Sequence, residues 1–297
     1  MGYLVAASLP EALTALGQGE CAVIAGGTDW FPAQGTRPLR GNLVDITRIP
    51  GLRGITRDTA TVAGAGTGAG AGWRIGGTTT WTDIIRADLP PAFDGLKAAA
   101  CEVGSIQIQN AGTIAGNLCN ASPAADGVPP LLALGALVEL TSQHGSRRMP
   151  LDVFLKGPRQ TARMPGEVLT AILIPDQPQG AQGAFLKLGA RHYLVISIAM
   201  VATVVTVDQG LITQAAVAVG SCSATAQRLP ALEADLVGQS CDAVLGGGAA
   251  MITQAHLAPL SPITDMRASA GYRTEAVATL TARALKAAIM GRGAAHG

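Results

Sequence analysis

The feature that most restricts the fold is a polar, glycine-containing segment that runs directly into an apolar stretch. Residues 112–135 read GTIAGNLCNASPAADGVPPLLALG, and three glycines, two asparagines, a threonine and an aspartate precede the apolar run. Such a run is typical of a helix in a protein core. Glycines and polar side chains just ahead of a buried helix are typical of a loop that approaches a ligand closely. The segment therefore predicts a binding loop at the edge of a packed core.

A second glycine loop follows a short apolar strand near the N-terminus. Residues 25–30 read AGGTDW and come after the predicted strand Ala22–Ala25. Successive backbone N–H groups in a Gly-Gly turn form a concavity that binds anions, and Thr28 adds a hydroxyl. The two loops could hold a diphosphate from both sides. Because Gly and Thr also serve turn geometry alone, the motifs leave two alternatives, an anion site or ordinary turns.

Composition and charge exclude several classes of protein. The chain has 297 residues, 48% of them apolar, which suffices for two packed units or for one domain with an appendix. Its 21 basic and 20 acidic residues give a formal net charge of +1 without a basic block, so we expect no nucleic acid partner. The five cysteines show no close pairing, which argues against a metal or iron–sulfur site on this chain.

The apolar segments indicate neither a secretion signal nor a membrane span. The N-terminal MGYLVAASLPEAL lacks a basic region, and its apolar stretch is short. The longest apolar run, Leu194–Val207, contains Ser and Thr and is shorter than the roughly 20 residues that cross a bilayer. With the scattered cysteines, these features predict a cytoplasmic protein.

Capping signals and periodicity predict the order of helices and strands. Ser8 with Glu11, and Thr80 with Asp83, indicate the starts of two helices. A hairpin is predicted with its turn at Gln143–Ser146. The other predicted elements are helices at Leu9–Leu16, Pro91–Val103, Pro130–Leu134 and Thr274–Met290, and strands at Leu43–Ile46, at Glu167–Pro175 and on both sides of Asp208–Gly210.

A stretch rich in Pro, Gly and Gln, Pro175–Gly183, is the best candidate for a domain boundary. It predicts a first domain over 1–176, with subdomains of about 1–55 and 56–176, and a second over 177–297 with strands followed by helices. The glycine-rich Gly64–Gly72 is interpreted as a hairpin tip. It is not a dinucleotide fingerprint, because the following WRIGG has the pattern of a strand.

Four motifs, in order along nearly the whole chain, resemble one known family. They are AGGTDW, QNAGTIAGNLCNASPAADGVPPLLALGALVEL, GEVLTAILIP and FLKLGARHYLVISIAMV. They resemble the FAD-binding subunit or domain of molybdenum hydroxylases such as xanthine dehydrogenase and carbon monoxide dehydrogenase, and the late SPITDMRASAGYR looks like the end segment of the same subunits. The resemblance implies an α+β fold. Its first part is a two-part FAD-binding domain of the vanillyl-alcohol oxidase (PCMH) type, followed by a smaller C-terminal domain of antiparallel strands and helices.

The resemblance also implies which residues bind FAD, and that they bind it noncovalently. The two glycine loops would close on its diphosphate, Asp126 would bind the adenosine part, and Leu169 and Lys187 would approach the flavin. An ammonium near the ring would stabilise the reduced flavin. The residues expected at the cofactor are Val23, Ile24, Ala25, Gly26, Gly27, Thr28, Asp29, Trp30, Thr113, Ile114, Ala115, Gly116, Asn117, Asp126, Leu169 and Lys187.

Three places depart from the usual family pattern. Ala115 stands where a second glycine is usual, and a left-handed backbone there would cost about 1 kcal/mol. His192 and Tyr193 replace an acidic pair. Trp30 replaces an aliphatic residue, and we expect it to anchor the loop in the core.

By this resemblance the chain is expected to be the electron-transfer subunit of a heteromeric molybdenum hydroxylase, without a catalytic side chain of its own. Electrons would pass from [2Fe-2S] clusters through FAD to an external acceptor. The molybdenum cofactor would lie on a large subunit and the clusters on a small one, in a heterotrimer or its dimer. Two alternatives stay open, a stand-alone flavin oxidase of the vanillyl-alcohol oxidase type and a non-catalytic assembly protein. The first histidine, His144, comes late for covalent attachment of FAD, and the retained glycine loops argue against an assembly protein.

Overall fold

The computed structural model describes residues 2–36, 41–58, 71–192 and 194–291. Its strands are β1 (Tyr3–Val5), β2 (Cys21–Ile24), β3 (Asn42–Asp45), β4 (Ile55–Asp58), β5 (Gly72–Gly76), β6 (Leu137–Ser142), β7 (Gly145–Pro150), β8 (Leu155–Gly157), β9 (Gln160–Thr161), β10 (Val168–Pro175), β11 (Gln182–Leu188), β12 (Ala199–Asp208), β13 (Leu211–Gly220) and β14 (Gln227–Arg228).

The helices lie between these strands and at the end of the chain. They are α1 (Leu9–Gly17), α2 (Trp30–Gln34), α3 (Trp81–Arg86), α4 (Asp94–Glu102), α5 (Ile106–Ala111), α6 (Ile114–Asn120), α7 (Val128–Ala133), α8 (Leu151–Phe154), α9 (Pro230–Leu236), α10 (Cys241–Gly247) and α11 (Ala270–Ile289), with 3₁₀ turns at Pro91–Phe93 and Gly248–Met251.

Two compact units are built from these elements, and neither is continuous in sequence. The first comprises Met1–Arg86, Ser105–Ala121 and Ala136–Asp176, and the second Ala87–Gly104, Ser122–Gly135 and Gln177–Gly297. Among the described residues, no helix combines the length and the apolar character that crossing a bilayer requires.

The first unit begins with a small parallel sheet that one helix covers. Among the described residues, β3 lies between β1 and β2 and runs parallel to both. Helix α1 begins after Ser8, whose hydroxyl accepts a hydrogen bond from the N–H of Glu11 at 3.3 Å. Its buried face packs with residues of β3 in one apolar cluster. Since β2 ends at Ile24, the chain leaves this sheet at the start of the first glycine loop.

The second sheet of this unit is antiparallel. Its described strands have the order β4-β5-β10-β6-β7. β10 is buried along its whole length, because it has a neighbouring strand on each side and lies in the core. The predicted hairpin is confirmed as β6 and β7, with Ser142 paired to Gly145 at the turn. Strand β5 ends at Gly76, and the chain then continues into α3 through residues 77–80.

A buried carboxylate just before β10 is expected to make the stability of this unit depend on pH. Glu167 accepts hydrogen bonds from Arg147 Nε at 2.6 Å and from the N–H of Met164 at 2.7 Å. The Arg147 guanidinium holds the pKa of Glu167 below its ordinary value, against the opposing effect of burial. A lowered pKa contributes stability that is present above the pKa of the unfolded chain and is lost as pH falls through that of the folded chain.

We therefore expect Glu167→Gln to lower the free energy of unfolding at neutral pH by about 1 to 3 kcal/mol, the range for hydrogen bonds to charged groups. The difference from the wild type should shrink below about pH 4, where the carboxylate protonates in the unfolded chain. Denaturant titrations at several pH values measure this. The exposed Glu20, changed to Gln, is the control. A wild type and a Glu167→Gln variant with parallel pH profiles would contradict the prediction.

The second unit is an antiparallel sheet with helices on both faces. Its described strands have the order β11-β12-β13-β14. The hydroxyl of Thr203 in β12 donates to the carbonyl oxygen of Ala284 in α11 at 3.2 Å. Met200 of the same strand and Pro129 of α7 both approach Gly220 on the other side. Because residues 200 and 203 point to opposite faces of a strand, α7 and α11 cover opposite faces of the sheet.

The fold class is confirmed, and the elements differ from prediction mainly at their ends. α11 begins at Ala270 rather than at Thr274, because the Ser269 hydroxyl accepts from the N–H of Tyr272 at 3.2 Å and caps the helix earlier. α1 extends one residue beyond the predicted end, to Gly17, and Gly19, with φ of 151°, lies in the turn that follows. Most of Gly64–Gly72 lies outside the described residues. The domain boundaries at 176 and 177 stay predictions.

Candidate functional site

The two glycine loops predicted from the sequence lie in contact within the first unit. A Cβ atom placed on Gly26 would be 1.9 Å from the carbonyl oxygen of Ala111 and 2.6 Å from its carbonyl carbon. Thr28 Oγ1 lies 3.4 Å from the position of a Cβ on Gly112. Only glycine permits this approach of one backbone to another. The first loop, after Val23 and Ile24 of β2, therefore rests on the end of α5.

The first loop keeps its backbone donors free. In the described part of the chain, the N–H groups of Gly26, Gly27, Thr28 and Asp29 make no hydrogen bond. Gly27 has φ of 69°, in the left-handed region that favours glycine. Consecutive free amides beside a left-handed residue form the kind of concavity that binds an anionic oxygen. This geometry suits a phosphate group.

Trp30 does not anchor this loop in the core, so that expectation is wrong. It begins the short helix α2, in which no residue is buried. Its ring packs edge-on against Phe31, with 5.0 Å between the ring centroids. The Phe31 ring in turn covers Gly27, where a Cβ would lie 2.6 Å from two ring carbons. The aromatic pair therefore supports the loop from a partly exposed position.

The second loop differs from the first because the amides of residues 114–117 are already bonded. The structure places it as the N-cap Thr113 and the first turn of α6, so these four N–H groups are not available to a diphosphate. The acceptors are Thr79 O for Ile114 (3.0 Å), Gly77 O for Ala115 (3.1 Å), Thr113 Oγ1 for Gly116 (3.1 Å) and Thr113 O for Asn117 (3.0 Å). What remains for a ligand here is the side chain of Asn117, together with the N–H and the hydroxyl hydrogen of Thr113, whose amide has no acceptor among the described residues.

A third segment, Gly76–Thr80, completes the arrangement and was missed in the sequence. Its Gly77 lies against α6 and β10, since a Cβ there would be 2.3 Å from the Leu169 carbonyl oxygen and 3.2 Å from Ala115 Cβ. Ala115 is helical and not left-handed, so the expected strain at this family departure is absent. The available signal was the triplet Gly-Gly-Thr at a strand end, which residues 76–78 share with 26–28.

Two buried polar atoms near these loops have no partner within the described residues. They are Thr78 Oγ1 and Asn117 Oδ1. An unsatisfied buried polar atom costs about 1 to 3 kcal/mol, and native proteins pair such atoms with protein, water or ligand. Free amides on one side and unpaired oxygen atoms on the other match a ligand that carries both phosphate and hydroxyl groups. The residues of the first unit therefore fit FAD.

The second unit contains a buried ion pair. Lys187 Nζ, in β11, donates to Asp126 Oδ2 at 2.8 Å, and Ser197 Oγ donates to Asp126 Oδ1 at 2.8 Å. The side chains of Lys187 and Asp126 are 7% and 11% exposed. Burial raises the pKa of Asp126 above its ordinary value, while the ammonium of Lys187 and the hydroxyl of Ser197 oppose the rise. The pair is therefore shielded from bulk water.

This ion pair joins two residues to which the resemblance assigns different parts of the cofactor. Asp126 was assigned to the adenosine part of FAD and Lys187 to the flavin, which are opposite ends of the cofactor. Head groups 2.8 Å apart cannot serve opposite ends. Of the two departures that follow Arg191, Tyr193 lies outside the described residues, and His192 is exposed. Among the described residues, no group of three or more His, Cys, Asp or Glu side chains could hold a metal ion.

Comparison with known families gives two matches that together span most of the chain. Residues 1–177 match the family described as the FAD binding domain in molybdopterin dehydrogenase. Residues 184–288 match the CO dehydrogenase flavoprotein C-terminal domain.

Individual relatives are similar over almost their full length. The chain is 34% identical to the 6-hydroxypseudooxynicotine dehydrogenase complex subunit alpha of Paenarthrobacter nicotinovorans, over 97% of this chain and 94% of that protein. It is 30% identical to the xanthine dehydrogenase FAD-binding subunit of Escherichia coli O157:H7, over 98% and 97%. The solved structure of reconstituted CO dehydrogenase from Oligotropha carboxidovorans contains a chain with a TM-score of 0.84 and 30% identity, over 98% of each.

Proposed function

Because this chain belongs to the family of FAD-binding medium subunits of molybdenum hydroxylases, we propose that it transfers electrons through a noncovalently bound FAD within a complex of several subunits. The observation that carries the proposal is the contact of Gly26 with the backbone of Ala111. It joins a loop with free amides to a second loop whose Asn117 Oδ1 is buried without a partner. Together these groups complement a diphosphate and its neighbouring hydroxyls.

The proposed contacts in the first unit follow from which groups remain free. The amides of Gly26, Gly27, Thr28 and Asp29 hold the diphosphate, because they have no other acceptor in the described chain. Thr28 Oγ1 donates beside them. Asn117 and Thr113 act through their side chains, while Val23, Ile24, Ala25, Trp30, Ile114, Ala115, Gly116 and Leu169 shape the walls. We add Thr78, whose buried Oγ1 lacks a partner.

In the second unit, we propose that Lys187 contacts the flavin and that Asp126 positions it. An ammonium has three donors. One donates to Asp126 at 2.8 Å and one reaches the Glu102 carbonyl oxygen at 3.5 Å, which leaves a third for the cofactor. Each oxygen of Asp126 accepts one hydrogen bond, Oδ2 from Lys187 and Oδ1 from Ser197, and in this proposal the carboxylate orients the ammonium. This replaces the adenosine assignment of Asp126.

FAD supplies the redox chemistry when bound, accepting electrons from one partner and releasing them to another. The residues of the chain orient it, exclude water and set the charge around it. We propose no side-chain general base and no metal on this chain. The proposed cofactor domain is 1–176 and the C-terminal domain 177–297.

The partners follow from the relatives, which are named as subunits or medium chains of dehydrogenase complexes. We propose a large subunit that carries the molybdenum cofactor and a small subunit that carries [2Fe-2S] clusters. The three form a heterotrimer or its dimer in the cytoplasm. The cluster subunit delivers electrons to FAD on this chain, and an external acceptor removes them.

Purification of the full chain, alone and co-expressed with the proposed large and small subunits, tests the proposal. We expect about one FAD per chain and release of all flavin into the supernatant on denaturation. We also expect co-elution of the three subunits in size-exclusion chromatography. The chain alone should consume no oxygen with a panel of alcohols and amines.

The alternatives give different results in the same measurements. Flavin that stays attached after denaturation, or rapid oxidation of an alcohol by the chain alone, would support a stand-alone oxidase. A folded chain that binds no FAD and still joins the other subunits would support an assembly protein. Either result would overturn the electron-transfer proposal.

A further inference from the structure

One buried arginine, Arg273, bonds the chain at the adjoining ends of β12 and β13, close in sequence to residues that contact the Asp126 segment. Arg273, in the first turn of α11, is 2% exposed. Its Nη1 donates to the carbonyl oxygens of Ile198 and, at 3.0 Å, of Ser221. Ile198 directly precedes β12, and Ser221 directly follows β13. A single guanidinium thus ties together the adjoining ends of two paired strands.

The two residues whose carbonyl groups accept from Arg273, Ile198 and Ser221, are both connected to the segment that contains Asp126. Ser197, next to Ile198, donates its hydroxyl to Asp126 Oδ1 at 2.8 Å. The N–H of Ser221 donates to the carbonyl oxygen of Pro123 at 3.0 Å. The position of Asp126 is therefore set from two sides, and both sides depend on the same guanidinium.

The backbone of Ser221 adopts a conformation that a serine does not favour by itself. Ser221 has φ of 63°, a left-handed conformation that costs a residue with a side chain about 1 kcal/mol or more. Its hydroxyl, although buried, finds no partner in the described chain, so the side chain does not stabilise the turn. The described bonds that hold Ser221 are those to Arg273 and Pro123.

Arg273 is itself held by a carboxylate that stays ionised. Its Nη2 donates to Asp265 Oδ1 at 2.8 Å. The N–H of Arg267 holds the pKa of Asp265 well below its usual range, with further contributions from the guanidinium groups of Arg273 and Arg267. The motif SPITDMRASAGYR thus contains both members of the pair, Asp265 and Arg273.

We propose that Arg273, held by Asp265, is a positioning residue for the Asp126–Lys187 pair and thereby for the flavin. Its two carbonyl contacts fix Ser197 and Pro123, and these fix the carboxylate that orients the Lys187 ammonium. The part that concerns the flavin rests on the proposed function. The part that concerns the ion pair does not, because it is a statement about contacts within this unit.

The experiment compares Arg273→Lys and Arg273→Met with a matched control. Thr203→Val is the control, because it also removes a hydrogen bond between β12 and α11, and Thr203 touches neither Ser197 nor Asp126. The FAD dissociation constant should rise about tenfold in Arg273→Met, less in Arg273→Lys, and less than about twofold in the control. The flavin midpoint potential should fall in Arg273→Met, because the ammonium that favours the reduced flavin is displaced.

A double-mutant cycle on the FAD-free chain provides a readout that does not need the cofactor. Arg273→Lys and Ser197→Ala, measured by denaturant unfolding, should be non-additive, because both act on Asp126. Thr203→Val and Ser197→Ala should be additive. Additive effects of Arg273→Lys and Ser197→Ala would overturn the proposal, even if Arg273→Met fails to fold.

The FAD measurements separate this inference from the proposed function. A wild type that binds no FAD contradicts the proposed function. The double-mutant cycle on the FAD-free chain still tests the role of Arg273 in that case. A wild type that binds FAD, with Arg273 variants that match the control in affinity and potential, contradicts the inference alone.

Discussion

Gly26→Ala is expected to raise the FAD dissociation constant of the chain by about 100-fold, or to abolish binding at micromolar concentration. The added methyl would lie 1.9 Å from the carbonyl oxygen of Ala111. Because the obstacle is backbone, no side-chain rotation relieves the overlap, and the first loop must move away from α5. That movement separates the free amides of the first loop from the side chain of Asn117. Equilibrium dialysis with FAD, beside thermal unfolding to establish that the variant is folded, measures the effect.

Two other glycines are matched controls for this prediction. In Gly27→Ala the new methyl would clash with the Phe31 ring, which can rotate, and would make only an ordinary contact with Ile24 at 3.7 Å. The left-handed backbone at this position costs alanine about 1 kcal/mol, so we expect roughly a fivefold loss. In Gly157→Ala, in the same unit, the new methyl would be 3.7 Å from Gln160 Oε1, an ordinary contact, and binding should not change. A folded Gly26→Ala with wild-type affinity would remove the contact between the loops from the cofactor site.

The elements of the fold could be predicted where local chemistry determines them. Ser8 and Thr80 each cap the helix that follows, as their spacing from Glu11 and Asp83 indicates. The turn at Asp208–Gly210 follows from its glycine, and Gln209 adopts the left-handed backbone with φ of 47°. What could not be predicted is that residues 87–104 and 122–135 pack with the second unit. That assignment depends on contacts far apart in sequence.

The candidate site shows the same division between local and distant information. The glycine loops could be found because a Gly-Gly turn after an apolar strand is a local pattern. The hydrogen bonds that occupy the amides of Ala115 and Ile114 could not, because their acceptors, Gly77 O and Thr79 O, belong to another segment. The Asp126–Lys187 pair joins residues 61 positions apart, and no local sequence pattern near either residue indicates the contact. Motif resemblance assigned both residues to the cofactor, at opposite ends, and could not show that their head groups are in contact.

The ion pair matters for stability whether or not FAD is present. A buried pair contributes little compared with apolar residues of the same size, but removal of one partner leaves a charge without compensation. Asp126 would retain the hydroxyl of Ser197 as its partner in the described structure. A carboxylate in that position must either stay charged in a poorly solvated place or take up a proton.

We therefore expect Lys187→Met to lower the free energy of unfolding of the FAD-free chain by about 3 to 5 kcal/mol near neutral pH. Lys97→Met is the matched control, because Lys97 Nζ donates to the Ala87 carbonyl oxygen at 2.8 Å in the same unit and forms no salt bridge among the described residues, although its charge lowers the pKa of Asp94. It should change stability by about 1 kcal/mol. Denaturant titration of the three proteins compares them directly.

A second variant and the pH dependence test whether the unpaired carboxylate causes the loss of stability in Lys187→Met. Asp126→Asn combined with Lys187→Met should recover a large part of the stability, since no charge is left buried. In Lys187→Met alone, burial raises the pKa of Asp126 with no ammonium to oppose it, so the folded state binds a proton more tightly than the unfolded chain does. The difference from the wild type should therefore narrow as pH falls toward about 4, the ordinary pKa of an aspartate in the unfolded chain. A double variant no more stable than Lys187→Met, with a difference that does not change with pH, would show that the loss comes from packing of the lysine stem and not from the unpaired carboxylate.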